Sequence, residues 1–221
     1  MTHSARLKHP NAALWMGAAL CIMLTACAQT SSQGTAAPGA NAPAAANAHA
    51  AAHAAAYAGH YESGCQQLGE AFYTRDLVDL SPAGAGLEAR YAKAIHDGQD
   101  CTPASLVVVF HLPAVQWTFD GTTQYQGRTV DKIQTKPLGN GQLTASHARA
   151  GWLSETPKQF LLHRNGQGKG LPVDKAVEQL PSKELRYLDG QRLYTSALDS
   201  DPNVYPTELS PDDFFERKPA P

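Results

Sequence analysis

Three Asx-Gly dipeptides, each set between strand-like runs, constrain this chain more than any other feature. Asp120-Gly121 lies between the aromatic, Thr-rich flanks Trp117 to Phe119 and Thr122 to Tyr125. Asn140-Gly141 lies between Leu138 and Leu143, and Asp189-Gly190 between the runs Leu185 to Leu188 and Gln191 to Tyr194. Asn-Gly and Asp-Gly accept the positive φ angles that two-residue hairpins require. The run Leu106 to Leu112 is apolar, β-branched and of strand length. Tight hairpins force antiparallel neighbours. Several in series predict an all-β antiparallel meander that closes as a barrel or curls into an open half-barrel.

Three stretches read differently. Leu87 to Ile95 consists of good helix formers, with apolar Leu87, Tyr91 and Ile95 and a C-cap glycine at Gly98; it also alternates as a strand, and pattern alone slightly favours helix. Val173 to Leu180 reads as a short helix stopped by Pro181. The end of the chain, with Pro202, Pro206 and Pro211 before Asp212, Asp213, Phe214, Phe215 and Glu216, reads as loop. In it, Ser210 caps a short final turn and the two rings pack back or form an acidic, aromatic contact tip.

The N-terminus carries an address. Arg6 and Lys8 precede an apolar run beginning near Ala12 and ending at Leu24-Thr25-Ala26-Cys27. The layout is that of a secretory leader, and the run is shorter than the ~20 residues a membrane span needs. Leu-Thr-Ala-Cys resembles the lipobox of bacterial lipoproteins. That resemblance implies cleavage between Ala26 and Cys27, a leader over 1–26, and a diacylglyceryl (palmitate-type) anchor on Cys27. Several chains on one residue hold a protein on a bilayer where a single chain does so only marginally. Ala28 lacks the aspartate that often retains such lipoproteins at the inner membrane, so the expected address is the cell envelope, at the outer membrane facing the periplasm. Residues 27–56 are almost entirely Ala, Ser, Gln, Gly, Pro and Asn, with little to bury, and predict a tether. Its Ala44 to Ala58 end has helical propensity. His49, His53 and His60 in that region are spaced for weak metal capture if helical, but a solvated spacer is the simpler reading.

The remaining roughly 160 residues, 57–221, suffice for one domain. Loss of Arg6 and Lys8 with the leader takes the formal charge from −2 to −4. No cluster of Lys and Arg suits a nucleic-acid partner. Cys21 leaves with the leader, so Cys65 and Cys101 remain as an even pair in an exported, oxidising setting and read as one disulfide. The rival is a metal site with His96 and His111, which no Cys-x-x-Cys or His-x-x-x-His accompanies within the folded part.

One segment carries a further resemblance. Gly59-His60-Tyr61-Glu62-Ser63-Gly64-Cys65 is followed by Phe72-Tyr73-Thr74-Arg75, then Tyr91, Asp97, Cys101, Pro103 and the strand from Leu106 to Leu112. This order is similar to the lipocalin-like domain of the Wnt antagonists called adenomatosis polyposis coli down-regulated proteins and their bacterial relatives, over about 57–135. It implies a curved antiparallel sheet with a groove for acyl chains, a Cys65–Cys101 pairing, and strand rather than helix over Leu87 to Ile95. Tyr61 stands where that family usually has Trp, and there is one domain here rather than a tandem.

Catalytic signatures are missing from the sequence. Arg164 to Gly170 is Gly-rich with Lys169, but Leu171-Pro172 follows where a phosphate loop needs Ser or Thr and a helix; it reads as a hairpin loop. There is no Gly-x-Ser-x-Gly elbow, and His96, His111, His147 and His163 are scattered. The expectation is therefore a non-enzymatic protein without cofactor or metal. Phe72, Tyr91, Phe110, Trp117 and Tyr125, with Phe119, fall in successive strands and either line an apolar groove for a lipid or acyl ligand or form ordinary core. The alternative function is a structural lipoprotein contacting another envelope protein.

Overall fold

The computed structural model describes residues 51–139, 141–164, 167–177, 179–196, 201–210 and 212–219. The expected leader, Cys27, the first part of the expected tether with His49, and Asn140 lie outside the described residues. A helix, α1 (51–57), opens the described chain. Strands follow in order: β1 (Gly59–Glu62), β2 (Gln66–Leu68), β3 (Phe72–Ala83), β4 (Gly86–His96), β5 (Leu106–His111), β6 (Val115–Tyr125), β7 (Arg128–Pro137), β8 (Thr144–Ser146), β9 (Leu153–Glu155), β10 (Gln159–Arg164), β11 (Gln167–Asp174), β12 (Ser182–Asp189), β13 (Arg192–Thr195) and β14 (Phe214–Lys218). A 3₁₀ turn covers Pro103–Ser105.

The fold is an all-β antiparallel barrel. Eight strands pair in a closed ring, β1–β3–β4–β6–β7–β12–β13–β14 and back to β1. Closure removes the exposed edges that an open sheet must protect. Each strand alternates its side chains: Val115, Trp117 and Phe119 of β6, Ile133 of β7 and Leu193 of β13 meet Tyr61, Val78, Leu80, Leu87 and Ala89 in one core. The seam between β4 and β6 is tight, because a Cβ on Gly86 would stand 2.1 Å from the Trp117 carbonyl oxygen.

The far ends of β3 and β4 run past the ring and found a second layer. There β2 pairs with Phe72–Thr74, and β5 with Ala92–His96. β8 adds to β5, and β9, β10 and β11 form a separate three-stranded sheet. Phe72, Ile95, Val107, Val108, Phe110, Leu143, Phe160 and Leu162 fill this second core. Cys65 and Cys101 are joined as a disulfide with Cα atoms 5.8 Å apart, tying the connection after β1 to the one after β4.

Leu87 to Ile95 is strand, paired along its length with β3. Asp189-Gly190 turns the β12–β13 hairpin, with Gly190 at φ +59°. Other local expectations are corrected. Asp120-Gly121 lies inside β6 at a register shift, and Gly121 (φ +82°) serves a bulge; the turn belongs to Gln126 and Gly127, both at positive φ. The flanks of Asn140-Gly141 do not pair with each other, since β7 pairs β6 and β12 while β8 pairs β5. Gly141 instead admits the Val177 carbonyl, 2.0 Å from where a Cβ would be. Val173 to Leu180 is not a helix: Val173 pairs with Phe160 in β11 and Ala176 bridges Gln142. Burial against the second core overrides helical propensity there. The expected terminal loop contains β14, the strand that closes the ring. The ordered body also begins before residue 57, because Ala54 on α1 is fully buried with Tyr57 in the barrel core.

Candidate functional site

The five aromatic residues expected to line one groove are divided among three clusters. Trp117 and Tyr91 belong to the barrel core, Phe72 and Phe110 to the second core, and Tyr125 to a cluster outside the barrel with Val130, Leu185 and Leu209. The structure therefore does not gather them around a single ligand.

The barrel interior holds a polar group instead. Arg186 and Glu184 of β12 project inward as a buried ion pair. Arg186 lies over the Trp117 ring, 5.0 Å from its centroid. Asp131 of β7, the register partner of Arg186, accepts a hydrogen bond from the Tyr57 hydroxyl. Helix α1 caps this end of the barrel. His53 Nε2 is 2.9 Å from Asp131 Oδ1, the His53 ring packs edge-on against Phe119, and Tyr61 donates to the Tyr57 carbonyl at 2.8 Å. Arg217 of β14 donates to the Ala56 carbonyl at 2.6 Å.

Low dielectric shapes the chemistry of these groups. Burial, reinforced by the Asp131 charge, pushes the Tyr57 phenol far above its ordinary range. Burial pushes Tyr91 up to about 12, opposed by the facing Arg186 and aided by Glu184. For Arg186, burial works to lower the pKa, but Glu184 and Tyr91 outweigh it and the guanidinium stays charged. Trp117 Nε1 and Arg186 Nε are buried without a hydrogen-bond partner among the described residues. The lumen is thus filled by its own rings, ion pair and capping helix.

Outside the barrel, the β2–β3 turn and the β10–β11 hairpin enclose an apolar cleft of about 430 Å³. Leu68, Ala71, Phe72, Leu162, Leu171 and Pro172 line it, and among the described residues Glu70 and Arg164 are its only charged wall residues. Leu171 is 40% exposed. This size falls within the roughly 300–1,000 Å³ of small-ligand sites. Of the expected ligand residues, Phe72 alone reaches it. Leu162, Leu171 and Pro172 were not anticipated; the sequence signal was an apolar pair placed directly after the Gly-rich loop.

The histidines do not converge. His96 Nδ1 is 3.2 Å from Ser105 Oγ, His111 Nε2 is 2.6 Å from Ser146 Oγ, and His163 Nε2 is 2.7 Å from Ser154 Oγ. These are three separate places, and His96 is held below its ordinary pKa by burial. Among the described residues, no group of three or more His, Cys, Asp or Glu is arranged to hold a metal ion, and no helix is long and apolar enough to cross a membrane. Comparison with protein-family models, with curated proteins and with solved structures finds no match to this chain.

Proposed function

We propose that this chain is a lipid-anchored envelope protein that holds the acyl part of an amphiphile in the cleft between the β2–β3 turn and the β10–β11 hairpin, without chemical change to it. The open apolar cleft carries this reading. Exposed apolar surface costs roughly 25 cal/mol per Å², so a persistent apolar concavity favours an apolar occupant. The leader-like segment ending before Cys27 and the Ala-rich stretch after it support a membrane address at the outer membrane, and the resemblance of 57–135 to a lipocalin-like domain agrees with an acyl ligand. The cleft, rather than the lumen, is the place for it, because α1 and the Arg186–Glu184 pair fill the lumen.

Two measurements test this. Intact-mass analysis of the membrane-extracted chain is expected to find a mature form beginning at an acylated Cys27, and Cys27→Ser is expected to move the protein to the soluble fraction. Native mass spectrometry of the full chain in detergent, with palmitate as probe, is expected to show one bound copy. Leu171→Glu, which places a charge in the cleft, is expected to abolish it. Palmitate binding that survives Leu171→Glu would refute the cleft. Co-purification of an envelope protein with no lipid would favour the scaffold reading.

A further inference from the structure

A second surface feature lies on the outer wall of the barrel, away from the apolar cleft. Tyr187 of β12 stands directly opposite Tyr194 of β13, which stands opposite Phe214 of β14. Their ring centroids are 6.0 and 5.6 Å apart, so three partly exposed rings form one row across three strands. Guanidinium groups flank the row: Arg128 lies 5.4 Å over Tyr187 and Arg192 lies 4.7 Å over Phe214.

Phe214 is also the wall of a cleft of about 240 Å³ between β1, β3 and β14, lined by Glu62, Ser63, Gly64, Arg75, Glu216 and Lys218. Phe214 is its one large apolar surface. Charges in it balance, two carboxylates against two cations. Arg75 donates to Glu62 at 2.9 Å and Lys218 to Glu216 at 2.8 Å, while Arg75 Nε is buried without a partner.

We propose that this cleft, with the aromatic row beside it, is a binding site for a neutral saccharide. Within the cleft itself, the balance of two carboxylates against two cations removes the drive for an ion of either sign. A lone ring with no apolar depth beneath it disfavours an acyl chain. A pyranose matches both halves of the surface. The slightly positive hydrogens of its C–H face pack on the part of the Phe214 ring that lines the cleft, where Arg192 does not reach, and its hydroxyls, donor and acceptor at once, donate to Glu62 and Glu216 and accept from Arg75 and Lys218. The cleft is smaller than the roughly 300 Å³ at which drug-sized sites begin, which suits one ring of a longer chain, and Tyr194 and Tyr187 continue the stacking surface for the next. The saccharide site is independent of the lipid reading and stands or falls separately.

Titration calorimetry of the full chain in detergent against neutral hexasaccharides of glucose and of N-acetylglucosamine tests it. Saturable binding to at least one of them is expected. Phe214→Ala and Glu216→Gln are each expected to weaken it at least tenfold, and Lys136→Ala, on β7 outside the cleft, to leave it unchanged. Should Phe214→Ala fail to fold, Glu216→Gln, which keeps shape and lies at the surface, decides alone. No saturable binding to either hexasaccharide, binding only to anionic saccharides, or binding insensitive to Glu216→Gln would overturn the proposal.

Discussion

Raising the pH should unfold this barrel through two phenols that its interior cannot ionise. Tyr57 is 2% exposed and donates to Asp131, while the Tyr91 hydroxyl faces Arg186 inside the ring. Both native pKa values are raised above the ordinary 10.0, Tyr91 to about 12 and Tyr57 further. A group with a raised native pKa contributes its full stability below the unfolded value. That contribution is lost as pH climbs from 10 through the native value, because only the unfolded chain releases the proton. Each phenol costs about 1.4 kcal/mol per pH unit once the unfolded phenol is fully ionised; between pH 10 and 11, where it passes from half to nearly full ionisation, each costs about 1 kcal/mol and the pair about 2 kcal/mol. Against a typical total of about 5–15 kcal/mol this is a large share. Urea unfolding at pH 9, 10 and 11 measures it. At a slope of about 1–3 kcal/mol/M, the midpoint should fall by roughly 0.7–2 M over the last unit. Lysines and surface tyrosines titrate in the same window, so the comparison is with Tyr57→Phe/Tyr91→Phe, whose loss over that unit should be smaller by about 2 kcal/mol. Equal losses in the two proteins would show that α1 does not seal Tyr57 against Asp131 as described.

Three further outcomes follow from the same packing. Replacing Cys65 and Cys101 by serine opens a link spanning 36 positions, which costs about 4 kcal/mol in the chain-entropy view; calorimetry should show a melting point lower by roughly 8–16 °C. Glu184→Gln leaves the Arg186 charge buried without its partner and should cost about 3–5 kcal/mol, whereas Glu184→Leu with Arg186→Met should recover most of it in chemical denaturation. Arg217→Ala removes the donors to Tyr61 Oη and the Ala56 carbonyl; hydrogen exchange should speed up at α1 and β1 and stay unchanged at β9 to β11.

What the sequence made legible was set by local chemistry. Positive-φ turn residues announced an antiparallel all-β fold, and Asp189-Gly190 turns its hairpin as read. The class survived even though Asp120-Gly121 and Asn140-Gly141 were misassigned, since glycine serves a bulge or a close approach as readily as a turn. The inner faces were harder. Glu184 and Arg186 point into the barrel while Leu185 packs with Val130 and Leu209 outside it, so the apolar alternation of β12 runs opposite to its true facing. Ala54 and Tyr57 form a buried stripe too short to stand out from an Ala-rich tether. The apolar cleft joins residues about 90 to 100 positions apart, from Leu68 to Leu162 and Leu171, and no local pattern reports such a meeting.

β14 shows how a barrel can close on its least strand-like segment. The five residues Phe214–Lys218 present Phe215 to the core, and Arg217 follows on the same face with its guanidinium 5.1 Å from the Tyr61 ring centroid. An apolar-only alternation is therefore absent, and prolines precede it. Pairing β14 with β1 brings together Tyr61 and Arg217, 156 positions apart, whereas β1 meets β3 at Val78. The longer loop costs only about 2 kcal/mol more to close, because the penalty grows with the logarithm of length. One half-buried phenylalanine and charge-assisted bonds from Arg217 to the Tyr61 hydroxyl and the Ala56 carbonyl are of that order. Arg217 also touches both the first strand and the capping helix, so the bonds that seal the ring hold α1 over the lumen. Seam and cap are therefore one interaction: a chain lacking its last strand would lose the end wall that keeps the Arg186–Glu184 pair from water.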